Sequence, residues 1–225
     1  MTSSLAAPEL TIAPQVPPSR PVSRWLVAAF LVAGATLQLI EELIEPPIRD
    51  DGDRLEWIAG HSTLHAVDIA IGLAAVPLLM ASVLLLARLA GRMHGLARVG
   101  ASICVVGFSG LAAVHGFEFA EVALLDAGVP PATVAAAAAN VQPVVGIPML
   151  GMFLGALNLG LPLLLVALWI SRGVPRGAIV VCFVFMIVDF VGPELPLPSH
   201  ALSFVAFTWM AAAIALGRGA GFVRS

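Results

Sequence analysis

The amino-acid sequence predicts an all-α protein, a polytopic integral membrane bundle of six transmembrane helices with both termini cytoplasmic. Three observations predict it. Hydrophobic residues make up 60% of the 225-residue chain and charged residues 11%, against roughly 25% charged in soluble domains, and the mean hydropathy is +1.00. Six apolar segments stand out, near 25–43, 66–87, 99–125, 144–170, 177–191 and 201–216, most of them close to the ~20 residues that cross a bilayer. All eleven cations are arginine, and nine fall on one side of a six-span arrangement; the positive-inside rule makes that side cytoplasmic.

Each element follows in order. Residues 1–23 hold five prolines and no apolar period, which predicts a disordered cytoplasmic tail. The membrane domain is expected over 24–218, with a second short tail over 219–225. Arg20 and Arg24 precede the first apolar run, which lacks a small-residue cleavage site and reads as a retained anchor. It closes with Gln38-Leu39-Ile40-Glu41-Glu42. The polar stretch 50–60 contains Trp57 and is expected to lie at the interface as a short amphipathic piece.

The second run is headed by His61, His65 and Asp68, whose i, i+4, i+7 spacing places all three on one helical face. The third ends in His115-Gly116-Phe117-Glu118-Phe119-Ala120-Glu121. Pro130-Pro131-Ala132-Thr133 and the alanines up to Asn140 predict a short surface helix, either a lid or a connector. The fourth run carries Gly151 and Gly155, a small-xxx-small pair expected to admit a close neighbour. Its prolines predict a kink, and Asn158 is a packing or cavity-lining position. The fifth run is the shortest and ends at Asp189, so the six-span topology hangs on it. Cys104 and Cys182 lie inside apolar runs and read as small buried hydrophobes.

Carboxylates and histidines are expected to converge in the extracytoplasmic third: Glu41, Glu42, His65, Asp68, His115, Glu118, Glu121, Asp189 and His200. Ionisable groups inside a membrane are costly and demand partners or a function. One reading is a metal-assisted enzyme on a lipophilic substrate. His61, His65, His115 and Glu118 are then the ligands of zinc, iron or manganese, and Glu118 and Asp68 the catalytic groups. Haem between His65, His115 and His200 is a lesser variant. A second reading is a proton- or cation-coupled transporter or sensor, and a third is a structural or accessory subunit held by an interhelical network. Ser62 and Ser199 flank histidines, but no Gly-x-Ser-x-Gly elbow is present. Without a basic stripe, nucleic acid is not an expected partner; the bilayer and a lipophilic substrate or cation are.

Gln38-Leu39-Ile40-Glu41, Val114-His115-Gly116-Phe117-Glu118 and the short arginine-rich loops resemble small multi-span membrane proteins common in actinobacteria. That resemblance implies architecture alone, in a bacterial plasma membrane. Ser62, His65 and Asp68 also loosely resemble the first part of the zinc hydrolases of ceramidase and adiponectin-receptor type. Those carry paired histidines on a last helix, where this chain has only His200, so their roles are not carried over.

Overall fold

The computed structural model describes residues 23–44, 51–191 and 198–218. The expectations for the two tails, apart from Ser23, lie outside the described residues. The described residues form helices joined by short turns: α1 (Arg24–Ile44), α2 (Asp51–Gly60), α3 (Ser62–Arg88), α4 (His94–Asp126), α5 (Pro131–Val141), α6 (Ile147–Ser171), α7 (Arg176–Val191) and α8 (His200–Ala215).

Among the described residues, four stretches are long and apolar enough to cross a membrane: Arg24–Ile44, Ser62–Arg88, Gly91–Asp126 and Pro131–Ser171. Helices α7 and α8 have 16 residues each, a rise of about 24 Å against a hydrocarbon core of ~30 Å. The six apolar segments therefore all fold as helices, and among the described residues four of them have the length of a full span. The outer surface suits a lipid solvent. Leu84, Val106, Leu159, Ile187 and Val205 are exposed, whereas His65, Asp68, His115 and Glu121 are buried.

Packing contacts fix an up-and-down order. Gly34 of α1 faces Leu79 of α3, Gly100 of α4 faces Gly160 of α6, and Gly177 of α7 faces Trp209 of α8. Gly217, just past α8, lies against Arg24 at the start of α1. Neighbours run α6–α4–α3–α1–α8–α7, and a thin contact between α6 and α7 closes the ring. This alternation collects the arginines of the helix termini at one end and the carboxylates at the other.

The seam between α4 and α6 is the closest approach. A Cβ added at Gly100 would stand 2.7 Å from the Gly160 carbonyl oxygen and the Leu164 nitrogen. Gly107 and Gly110 approach Phe153 and Met149 in the same way. Without a hydrophobic drive between helices in lipid, such backbone proximity supplies the dispersion contact that holds them. The expectation for Gly151 and Gly155 is corrected, since a Cβ at either would meet nothing within 4 Å. Both are exposed; the small residues of α6 that receive α4 are Gly160, opposite Gly100, and Ala156, opposite Gly107.

Beyond the ring, α2 and α5 pack on each other over the acidic end. Leu55, Ile58, Ile69, Val122, Leu125 and Val134 form a small core of their own there. The amphipathic piece around Trp57 and the Pro130-Pro131 helix are thus both present. The second, however, is not a separate element: α5 passes into α6 through a π-helical turn, Gln142–Gly146, with no non-helical break.

Candidate functional site

At the acidic end the side chains sort into two clusters. The first joins α1, α3 and α4 beneath α2. Gln38 donates from Nε2 to Glu41 Oε2 at 3.1 Å, and Glu41 Oε1 lies 3.2 Å from His115 Nε2. On its other side His115 Nδ1 lies 3.2 Å from Glu118 Oε2. Arg54 on α2 reaches down with both terminal nitrogens, at 3.1 Å from Glu118 and 3.2 Å from Glu121. The fork of a guanidinium is what allows one cation to bridge two carboxylates a helical turn apart.

Gly72 makes this cluster possible. A Cβ there would stand 2.7 Å from His115 Nε2 and overlap Glu41 Oε1, so α3 leaves a gap through which α1 and α4 meet. His65 and Asp68 lie on the same helix, both buried. His65 Nδ1 is 3.5 Å from Asp68 Oδ2, and its ring sits edge-on to Trp57 at 6.4 Å. Neither ring nitrogen of His65, nor Asp68 Oδ1, has an aligned hydrogen-bond partner among the described residues. His115 Nε2 likewise meets Glu41 as an ionic contact rather than an aligned hydrogen bond.

The second cluster joins α1, α7 and α8. Glu42 accepts from the backbone N–H groups of Ser199 at 2.6 Å and His200 at 2.8 Å. A carboxylate from α1 thereby satisfies donors at the start of α8 and complements its positive end. His200 Nδ1 lies 3.4 Å from Glu42, and the ring leans on Phe185 with centroids 5.4 Å apart. Ser199 Oγ is 2.7 Å from Asp189 and 2.9 Å from Glu42. Ser199 and Glu42 both approach the same histidine nitrogen, Nδ1. A nucleophile relay needs the hydroxyl on one ring nitrogen and the carboxylate on the other, so Ser199 is not activated here.

Between the clusters and the arginine end, the ring borders a partly open cavity of about 320 Å³, the lower end of the usual small-molecule range. All six ring helices line it. Leu31, Leu79, Phe108, Leu157, Met186 and Phe207 give it an apolar body, and Gln38, Asp189, His200 and Ser203 form polar points on its wall. Asn158 also lines it, although its amide nitrogen donates to the Leu154 carbonyl of its own helix at 2.8 Å.

The structure brings His115 and Glu118 together but does not assemble the expected ligand set. Among the described residues, no group of three or more His, Cys, Asp and Glu is arranged to hold a metal ion. The physical reason is local. His61 is exposed and stacks flat on Trp57 at 4.6 Å, its Nδ1–H donating to the Trp57 carbonyl at 2.9 Å. His115 has a carboxylate against each ring nitrogen, Glu41 at Nε2 and Glu118 at Nδ1. His200 is held with Glu42 in the other cluster. Sequence reasoning missed Arg54, the Glu42 cap and the cavity. Only Arg54 left a signal, as a cation on the side where arginine is scarce.

The chain matches no protein-family model, no curated protein and no solved structure.

Proposed function

We propose that the protein is a multi-pass plasma-membrane carrier of a bacterial cell, with its acidic end outside, which takes an amphiphilic cation into the ring cavity and exchanges it for a proton. One observation carries this reading. Gln38 lies on the cavity wall and opens a chain of polar groups, Gln38–Glu41–His115–Glu118, in which each successive pair is 3.1–3.2 Å apart. Carboxylates and histidines in such sequence are the material of membrane proton relays, and imidazole titrates near physiological pH.

Each group has a distinct task. The apolar walls receive the hydrophobic part of the substrate. Asp189, on the cavity wall, faces its cationic head. Glu41 and His115 pass the proton, and Glu118 exchanges it at the rim beneath α2, held there by Arg54. His65 and Asp68 flank the path and supply polar atoms in the same layer. The metal-assisted enzyme expectation, with Glu118 and Asp68 as catalytic groups, gains no support, because among the described residues no group of three or more His, Cys, Asp and Glu is arranged to hold a metal ion.

Vesicles containing purified protein and an internal pH dye test the proposal, with a dansyl-labelled alkyl-trimethylammonium as substrate. An imposed pH gradient should drive uptake of the probe with matching proton movement. His115→Gln should reduce uptake about tenfold while leaving probe binding intact, and Phe108→Trp, which narrows the cavity, should weaken binding. Uptake equal to that of protein-free vesicles, or unaffected by either substitution, would refute the carrier.

A further inference from the structure

The opposite end of the bundle carries a second recess, of about 560 Å³, between the α3–α4 turn and the α6–α7 turn. Arg92, Arg172 and Arg176 line it together with Trp169, Ser171 and Gly91. We propose that this recess binds the phosphodiester headgroup of an anionic phospholipid.

Charge is the first argument. None of the three guanidinium groups forms an ion pair with a carboxylate among the described residues, because the alternating topology sends the acidic side chains to the far end. Three cations gathered at one recess repel one another unless an anion joins them, and planar guanidinium forks match phosphate oxygens bidentately.

Geometry is the second. Arg176 is held over the face of Trp169 at 5.1 Å, a cation–π contact that orders a side chain otherwise free to sweep through many rotamers. Arg172 closes α6 in the left-handed region at φ 57°, a conformation uncommon for a residue other than glycine. The chain tolerates it and thereby turns this arginine into the recess.

The third argument selects a lipid over a free ion. Trp169, Ile170 and Val166 are 37–41% exposed along the outer face of α6. Acyl chains would lie on this apolar strip while the headgroup reached the arginines. Indole also prefers the membrane–water boundary, where a lipid phosphate sits. Basic pockets at the cytoplasmic end of membrane helices are known to hold such headgroups. The site is independent of the cavity and of any proton chemistry at the acidic end.

Native mass spectrometry of the detergent-purified protein, with phosphatidylglycerol and phosphatidylcholine added in turn, decides the matter. The wild type should retain phosphatidylglycerol at least tenfold better than phosphatidylcholine. The triple variant Arg92→Gln, Arg172→Gln, Arg176→Gln should lose that preference, while Arg98→Gln, a cation at the same end outside the recess, should keep it. Circular dichroism confirms that the triple variant is folded, and if it is not, the single variant Arg176→Gln replaces it with a partial loss expected. Equal retention of the two lipids, or a preference that survives in the variants, overturns the proposal. Displacement of the lipid by millimolar inorganic phosphate would assign the recess to a soluble anion and overturn it as well.

Discussion

Replacing Gly72 by alanine adds one methyl group at the point where α1, α3 and α4 converge. That methyl would stand 2.7 Å from His115 Nε2 and overlap Glu41 Oε1, where ordinary contact requires about 3.5 Å. His115 is buried and fixed by Glu118 on its other side, so the Glu41 carboxylate must give way. The expected loss is the Glu41–His115 contact itself, with the backbone little changed. Interhelical polar contacts in bilayers are worth about 0.6 kcal/mol on average and about 1–2 kcal/mol in model peptides, so Gly72→Ala should destabilise by about 0.5–2 kcal/mol. Unfolding in mixed micelles titrated with SDS measures it. A double-mutant cycle tests the cause: if the methyl acts by displacing Glu41, then Gly72→Ala and Glu41→Gln are not additive. Additive effects would refute the mechanism. In the vesicle assay Gly72→Ala should interrupt proton movement as His115→Gln does, although it removes no ionisable group. Unaltered coupling in a folded Gly72→Ala protein would break the assigned relay between Glu41 and His115.

Two further expectations concern packing and the cap. Gly100→Ala drives a methyl into the backbone of α6, which cannot yield as a side chain can, so a loss of about 1–3 kcal/mol is expected. Gly151→Ala and Gly155→Ala should be neutral or slightly stabilising in the same SDS titration; equal losses at all three sites would contradict the seam. Arg54→Met leaves Glu118 and Glu121 facing each other without their shared cation. Hydrogen exchange across α2 should rise in the order wild type, Arg54→Lys, Arg54→Met, since an ammonium keeps the charge but cannot fork to both carboxylates.

What the sequence discloses is local. Spacing of three or four residues foretells His115 with Glu118 and His65 with Asp68, because helix geometry alone puts those atoms on one face. Trp57 and the Pro130-Pro131 pair mark α2 and α5 by interface preference and helix-start chemistry. Partners on different helices are another matter. Arg54 finds Glu121 across 67 residues and Ser199 finds Glu42 across 157, and no periodicity states which helices are neighbours. The glycines show the same limit. Gly151 and Gly155 satisfy a spacing rule yet face outward, whereas Gly100 and Gly160 obey none between them and meet because α4 and α6 run antiparallel. The cavity was illegible for a related reason: it belongs to six helices at once and to no single stretch.

Glu41 and Glu42 are consecutive in the chain, yet each belongs to a different cluster. On a helix they project about 100° apart, one toward His115 on α4 and the other toward the start of α8. Helix α1 therefore works as an axle with two spokes. A turn of α1 that brought Glu41 closer to His115 would carry Glu42 round by the same angle, changing its hold on Ser199 and His200. Such a turn would reach the histidine of one cluster and the start of α8 together, because a single peptide unit joins the two residues.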